Sequence, residues 1–150
     1  MTDFAPSRFE DGQPMLFAGL RRQHTFAEAA QGIAAQWREF NAQAALPGRV
    51  GASAYGVMCG SSPTGIEYMC AVEVASLAEM PAGTGRMRVP AQRYAVFEHR
   101  DGAASVVSTW QRILAWLEHG AYASAEQPDF EVYRPDSGLI EIWIGVVPRG

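Results

Sequence analysis

The chain has 150 residues, 48% of them hydrophobic and 19% charged, with a formal net charge of −4. That composition suits one folded domain or two small halves sharing a core, and excludes a disordered chain; a mildly acidic chain is a poor expectation for sequence-independent nucleic-acid binding. All twelve basic residues are arginine, which excludes a Schiff-base lysine, a P-loop lysine and a lysine general base.

The N-terminal "MTDFAPSRFEDG" carries acids and no apolar run, so no signal peptide is expected. No stretch approaches the roughly 18 apolar residues of a membrane span, and cytoplasm is the default expectation. The first predicted strand is "QPMLFAGLRRQHTF". A helix follows in "FAEAAQGIAAQWREFNAQAAL", with Ile33, Trp37, Phe40 and Ala44 at helical spacing and a stop at Pro47–Gly48. A hairpin closes the unit: "ASAYGVMCG" and "IEYMCAVEVA" flank the turn residues "SSPTG". Cys59 and Cys70 flank this turn out of register, so two free thiols are expected rather than a disulfide.

Residues 77–85 are rich in Gly and Pro and read as a linker. A second strand then opens in "MRVPAQRYAVFEHR". The second helix, "AASVVSTWQRILAWLEHG", carries Val106, Trp110, Ile113 and Leu117 on one stripe and ends near Gly120. The final hairpin joins "DFEVYRP" to "GLIEIWIGVV".

The chain therefore repeats itself. Ile33 and Val106, Trp37 and Trp110, Phe40 and Ile113, Ala44 and Leu117 all stand 73 residues apart. The same offset matches Gly65 with Gly138 and Tyr68 with Glu141. Two βαββ units are predicted, at about 8–76 and about 86–148, within one domain over 1–150. Mixed strands and helices argue for an α+β or α/β sandwich. Two helices cover only one face of a sheet of about six strands, and Trp37, Phe40, Trp110, Leu114 and Leu117 need partners there. Ile140, Ile142 and Ile144 suit that covered face, which sends Glu141, Trp143 and Gly145 to the other.

The stretches "YAVFEHRDG", "TWQRILAWLEHGAYASAEQPDFEVYRPD" and "IEIWIGV", with "WREF" and "YGV" in the first half, resemble the GyrI-like small-molecule-binding domain. That domain also serves as the effector-binding part of AraC-type and related multidrug-sensing activators. The resemblance runs across residues 8–148. It implies duplicated βαββ units with pseudo-twofold symmetry: an antiparallel sheet with two helices on one face and a ligand groove on the other. It further implies a hydrophobic, often cationic ligand whose charge meets the glutamate of the final strand, here Glu141. Some members instead hydrolyse cyclopropane-bearing toxins with groove glutamate and aromatic residues, and another type inhibits gyrase. Two departures stand out: Gly145 replaces the usual proline, and Asp101 lengthens the approach to the second helix. No helix-turn-helix fits outside the matched region, so the expectation is a sensing domain standing alone.

Two readings of Glu141 stand side by side. One is a solvent-facing residue of a half-covered sheet; the other is a groove carboxylate, its pKa raised by desolvation, that attracts a cation or acts as an acid or base. Trp143 shares its face and either packs or stacks on a flat ligand. Tyr68, the repeat partner of Glu141, is expected near it across the pseudo-twofold axis. Tyr133 is a further candidate on the neighbouring strand, and Tyr55 a weaker one. Glu131, which alternates with Tyr133, reads as a surface charge. Trp37 and Trp110 fit a helix core, with a groove role as the alternative. An enzyme would use Glu141 with Tyr68 or Tyr133; a protein partner such as gyrase or a regulator would need no groove ligand. His24, His99 and His119 have no metal-ligand spacing, and neither a GxSxG elbow nor a GxGxxG or P-loop occurs. No cofactor, no metal and no membrane are therefore expected.

Overall fold

The computed structural model describes residues 4–100, 102 and 106–149; Asp101 lies outside the described residues. In chain order the elements are β1 (Arg8–Gly12), β2 (Met15–Thr25), α1 (Ala29–Ala42), β3 (Ala54–Ser61), β4 (Gly65–Glu73), β5 (Gly85–Val89), β6 (Gln92–His99), α2 (Val106–His119), β7 (Tyr122–Ser124), β8 (Asp129–Tyr133) and β9 (Ile140–Pro148). The strands form one sheet in the order β1-β6-β9-β8-β3-β4-β2-β5, with β7 added beside β9. All pairings are antiparallel.

This order is symmetric about the β8–β3 seam. Exchanging β8 with β3, β9 with β4, β6 with β2 and β1 with β5 maps it onto itself, as expected of a duplicated unit. Each half also lends its first strand to the other: β1 pairs with β6, and β5 pairs with β2. Proline makes that exchange possible. Pro14 follows β1 and Pro90 follows β5, and at each the missing N–H and fixed φ end one strand before the next begins. The stretch read as one strand opening the second unit is thus two strands in opposite halves of the sheet, β5 at one edge and β6 next to the other.

The sheet curls into a half-barrel. Phe17 on β2 lies 5.4 Å from Phe130 on β8, ring to ring. Two strands separate them in the ladder, which in a flat sheet spaces their backbones by about 14 Å, so the sheet bends toward this face. Phe17, Val57, Met69, Val89, Tyr94, Val96, Phe130 and Val132 fill the inner face. On the face where a ligand groove was expected, the chain's own side chains are packed.

The helices lie on the outer face. α1 packs on β2 and β4. On α2, Ile113 is buried among Phe97, Ile140, Ile142 and Ile144, while Leu114 is exposed and needs no partner. The buried residue of α1 is polar: Gln36 is 1% exposed. Its Nε2 donates to the carbonyls of Leu20 and Tyr68 at 2.7 and 2.9 Å. With both amide hydrogens committed, Oε1 is the acceptor facing His24, so His24 carries its proton on Nε2. Gly32 leaves the space that the His24 ring occupies.

Candidate functional site

Strand parity decides which residues meet. Glu131 stands opposite Gly56 of β3 and Ile142 of β9, whereas Glu141 stands opposite Val132 and Glu98. Side chains alternate along each strand, so Glu131 joins the isoleucines on the outer face and Glu141 points inward. Tyr68 shares the outer face with Glu131. It is therefore on the opposite side of the sheet from Glu141, not beside it. The offset of 73 keeps the face between β3 and β8, where Val57 pairs with Phe130. It fails between β4 and β9, because the register shift between Met58 and Gly60 displaces the first hairpin by one residue, and a one-residue slip exchanges faces.

Glu131 is 3% exposed, so it is no surface charge. Tyr133 Oη donates to its Oε1 at 2.6 Å and Tyr68 Oη to the same oxygen at 2.8 Å. Trp110 Nε1 donates to Oε2 at 2.8 Å. Behind these, Trp37 Nε1 donates to Tyr68 Oη at 3.1 Å, and its ring meets that of Tyr133 edge-on at 5.3 Å. Two helices and two strands thus deliver Trp37, Trp110, Tyr68 and Tyr133 to one carboxylate. Among the described residues no arginine or histidine reaches ion-pair distance of it. Burial, then the Glu131 charge, pushes both phenols above their ordinary range. They are held as hydrogen-bond donors rather than as ready acids.

Glu141 has the contrary environment. It is 4% exposed, and Arg134 Nη2 donates to Oε1 at 2.8 Å while Arg8 Nη2 donates to Oε2 at 3.1 Å. Trp143 Nε1 adds a third donor at 3.1 Å. Burial alone would push this carboxyl up, as the sequence reading expected. The hydrogen bonds from Arg134 and Trp143, with the charges of Arg134 and Arg8, outweigh it and hold Glu141 below the ordinary carboxylate range. Trp143 stacks on Phe130 with centroids 5.7 Å apart, and Arg8 lies over its ring. Tyr55 sits on this same inner face against Phe17 and Phe130. The sequence candidates therefore separate: Trp37, Tyr68, Trp110 and Tyr133 surround Glu131, while Tyr55 and Trp143 stay with Glu141.

Glu131 itself was missed as a site residue. The signal was present in "DFEVY", where Phe130 and Val132 must face one side and Glu131 the other. Reading it needed the β8–β9 register, which puts Glu131 beside Ile142. Two surface pockets open elsewhere. One of about 490 Å³ is lined by His24, Glu28 and Glu67 among others, and one of about 620 Å³ by Leu16, Leu77 and Arg88 among others. Among the described residues no group of three or more His, Cys, Asp or Glu is arranged to hold a metal ion, and no helix is long and apolar enough to cross a membrane.

A symmetric curled antiparallel sheet with two outer helices is the fold of a small-molecule-binding class of domain. The chain belongs to the GyrI-like small molecule binding domain family, whose model matches residues 5–147. Over 82 residues, 53% of this chain, it is 38% identical to the transcriptional regulator BrlR of Pseudomonas aeruginosa. That match spans 30% of the regulator's length. Among solved structures, the integron cassette protein VCH_CASS2 from the mobile metagenome of Vibrio cholerae superposes with a TM-score of 0.71 at 21% identity, covering 93% of this chain and 95% of its own. SAV2435, solved bound to tetraphenylphosphonium, gives 0.71 at 19% identity and covers 93% of both chains. At these identities the structures speak for the fold.

Proposed function

We propose that this domain binds a hydrophobic organic cation between α1 and α2, with Glu131 as its charge partner and Trp37, Trp110, Tyr68 and Tyr133 as its walls. One observation carries the reading: a buried carboxylate that, among the described residues, is answered only by neutral donors. Neutral donors stabilise the negative charge without cancelling it, so it still attracts a cation where water is partly excluded. A bulky delocalised cation also gains from aromatic faces. Glu141 fits the role less well, because two arginines already answer its charge. The tetraphenylphosphonium held by SAV2435 is of the same chemical class. The kinship with BrlR adds the reading that binding informs transcription, as the effector part of a regulator.

Binding fits the site better than catalysis does. An acid or base would need a group that gives up or takes a proton readily, and both phenols are pushed the other way.

The test is fluorescence titration with tetraphenylphosphonium, read from Trp37 and Trp110, for the parent and for Glu131→Gln. Glu131→Gln should weaken binding at least about tenfold, with neutral triphenylphosphine oxide little affected. Equal affinity of the two proteins for the cation would sink the assignment.

A further inference from the structure

Glu131 and Tyr68 meet directly above a glycine. Gly56 lies on β3 between them, paired with Glu131 on one side and with Cys70 of β4 on the other. A Cβ built on Gly56 would overlap the Tyr68 hydroxyl. It would also stand 2.6 Å from Glu131 Oε1 and 2.7 Å from Tyr68 Cζ. The nearest obstacles are the two polar groups of the site and the ring that carries one of them. Neither is the loose end of a flexible side chain, because Tyr68 is 1% exposed and Glu131 3%.

The backbone of Gly56 gives no other reason for a glycine. It is not among the positive-φ residues, and a glycine inside a strand weakens the strand. What the missing side chain supplies is room for the phenol and the carboxylate to close over the β3 backbone.

We propose that Gly56 determines the charge selectivity of the site: the absence of a Cβ is what lets Tyr68 and Glu131 hold each other. A methyl here forces the phenol and the carboxylate apart. The carboxylate then loses a donor that stabilises its charge in a place closed to water. The aromatic walls from α1 and α2 stay, so neutral aromatic ligands still fit while the preference for a cation falls. This role rests on Glu131 being the ligand's charge partner. Gly56 acts through its neighbours and is a positioning residue.

Two readouts separate this idea from the reading beneath it. The first is the ratio of tetraphenylphosphonium to triphenylphosphine oxide affinity. Gly56→Ala should lower that ratio at least about tenfold, and an unchanged ratio overturns the proposal. The second needs no ligand. In an ultraviolet titration of the phenols, Gly56→Ala should bring a late-titrating tyrosine back toward the ordinary range, because the Tyr68–Glu131 bond is broken. If the parent shows no preference for the cation, the binding reading fails, and the phenol titration alone decides the role of Gly56. No movement of any phenol then overturns it. Should Gly56→Ala melt too low to measure, adding Tyr68→Leu removes both the overlapping hydroxyl and the ring carbon behind it. Recovered folding in the double variant supports the proposal, and a loss that is the same in both backgrounds overturns it.

Discussion

Glu131 and Glu141 lie on adjacent strands, both buried, and point to opposite faces of one sheet. The outer carboxylate meets two phenols and an indole. The inner one meets two guanidiniums. A single change of strand parity therefore separates a carboxylate held by neutral donors from one paired with guanidiniums.

Substituting each glutamate by glutamine should divide the two roles. Glu141→Gln loosens Arg8 and Arg134 from the inner face and should cost about 1–2 kcal/mol of stability, a modest value because both arginines are partly exposed. Tetraphenylphosphonium affinity should stay within about twofold. Denaturant melts and fluorescence titrations on the same samples check both. An affinity loss in Glu141→Gln equal to that in Glu131→Gln would return the charge-partner role to the inner face.

Tyr133→Phe removes the 2.6 Å donor to Glu131 Oε1 and leaves that oxygen with Tyr68 alone. The lone pair stays buried, so the expected cost is about 1–3 kcal/mol. The urea midpoint should fall with an unchanged slope, since the surface exposed on unfolding is the same. A midpoint equal to that of the parent would mean that water or a neighbouring donor replaces the phenol.

The helices, the two closing hairpins and the final strand were legible because their periodicity is local. The Trp37 and Trp110 match was legible for the same reason, and both residues do reach one site. The exchange of β1 and β5 was not, although Pro14 and Pro90 mark both strand ends. Which edge a strand joins depends on long-range pairing that no local pattern carries. Glu131 was misread because a carboxylate between Phe130 and Val132 looks like the polar side of an exposed strand. Only the register against Ile142 shows that side to be covered. Gln36 escaped for a similar reason: a buried amide makes sense only once two strand carbonyls are seen beneath it.

Asp129 should make stability depend on pH. Burial pushes its carboxyl up from 3.8 to about 7, with the Gly145 N–H pulling the other way. A raised folded-state value means that the native protein holds a proton the unfolded chain has lost. The contribution is complete below about pH 4 and declines as pH rises toward 7, with a slope of at most about 1.4 kcal/mol per pH unit. Asp129→Asn should flatten this part of the profile and melt relatively higher at pH 8. Thermal melts from pH 4 to 8 on both proteins check it; parallel curves would place the pH dependence elsewhere.

Gly145, where the family resemblance leads one to expect proline, serves two neighbours in this chain. Its N–H donates to Asp129 Oδ1 at 2.9 Å, and its carbonyl accepts from Ala125 N–H. The amide of Gln92 fills the space a side chain would take, with its atoms 2.6–2.7 Å from a built Cβ. Gly145→Ala keeps the N–H and meets Gln92 first, so most of its cost should vanish when Gln92→Ala is added. Gly145→Pro also deletes the donor to Asp129. In the Gln92→Ala background it should still cost about 1–2 kcal/mol, the value of one hydrogen bond to a partly buried carboxyl. Thermal melts of the four variants give the cycle. If proline and alanine cost the same in the Gln92→Ala background, the Gly145–Asp129 bond contributes nothing, and the clash with Gln92 is the whole reason for glycine at this position.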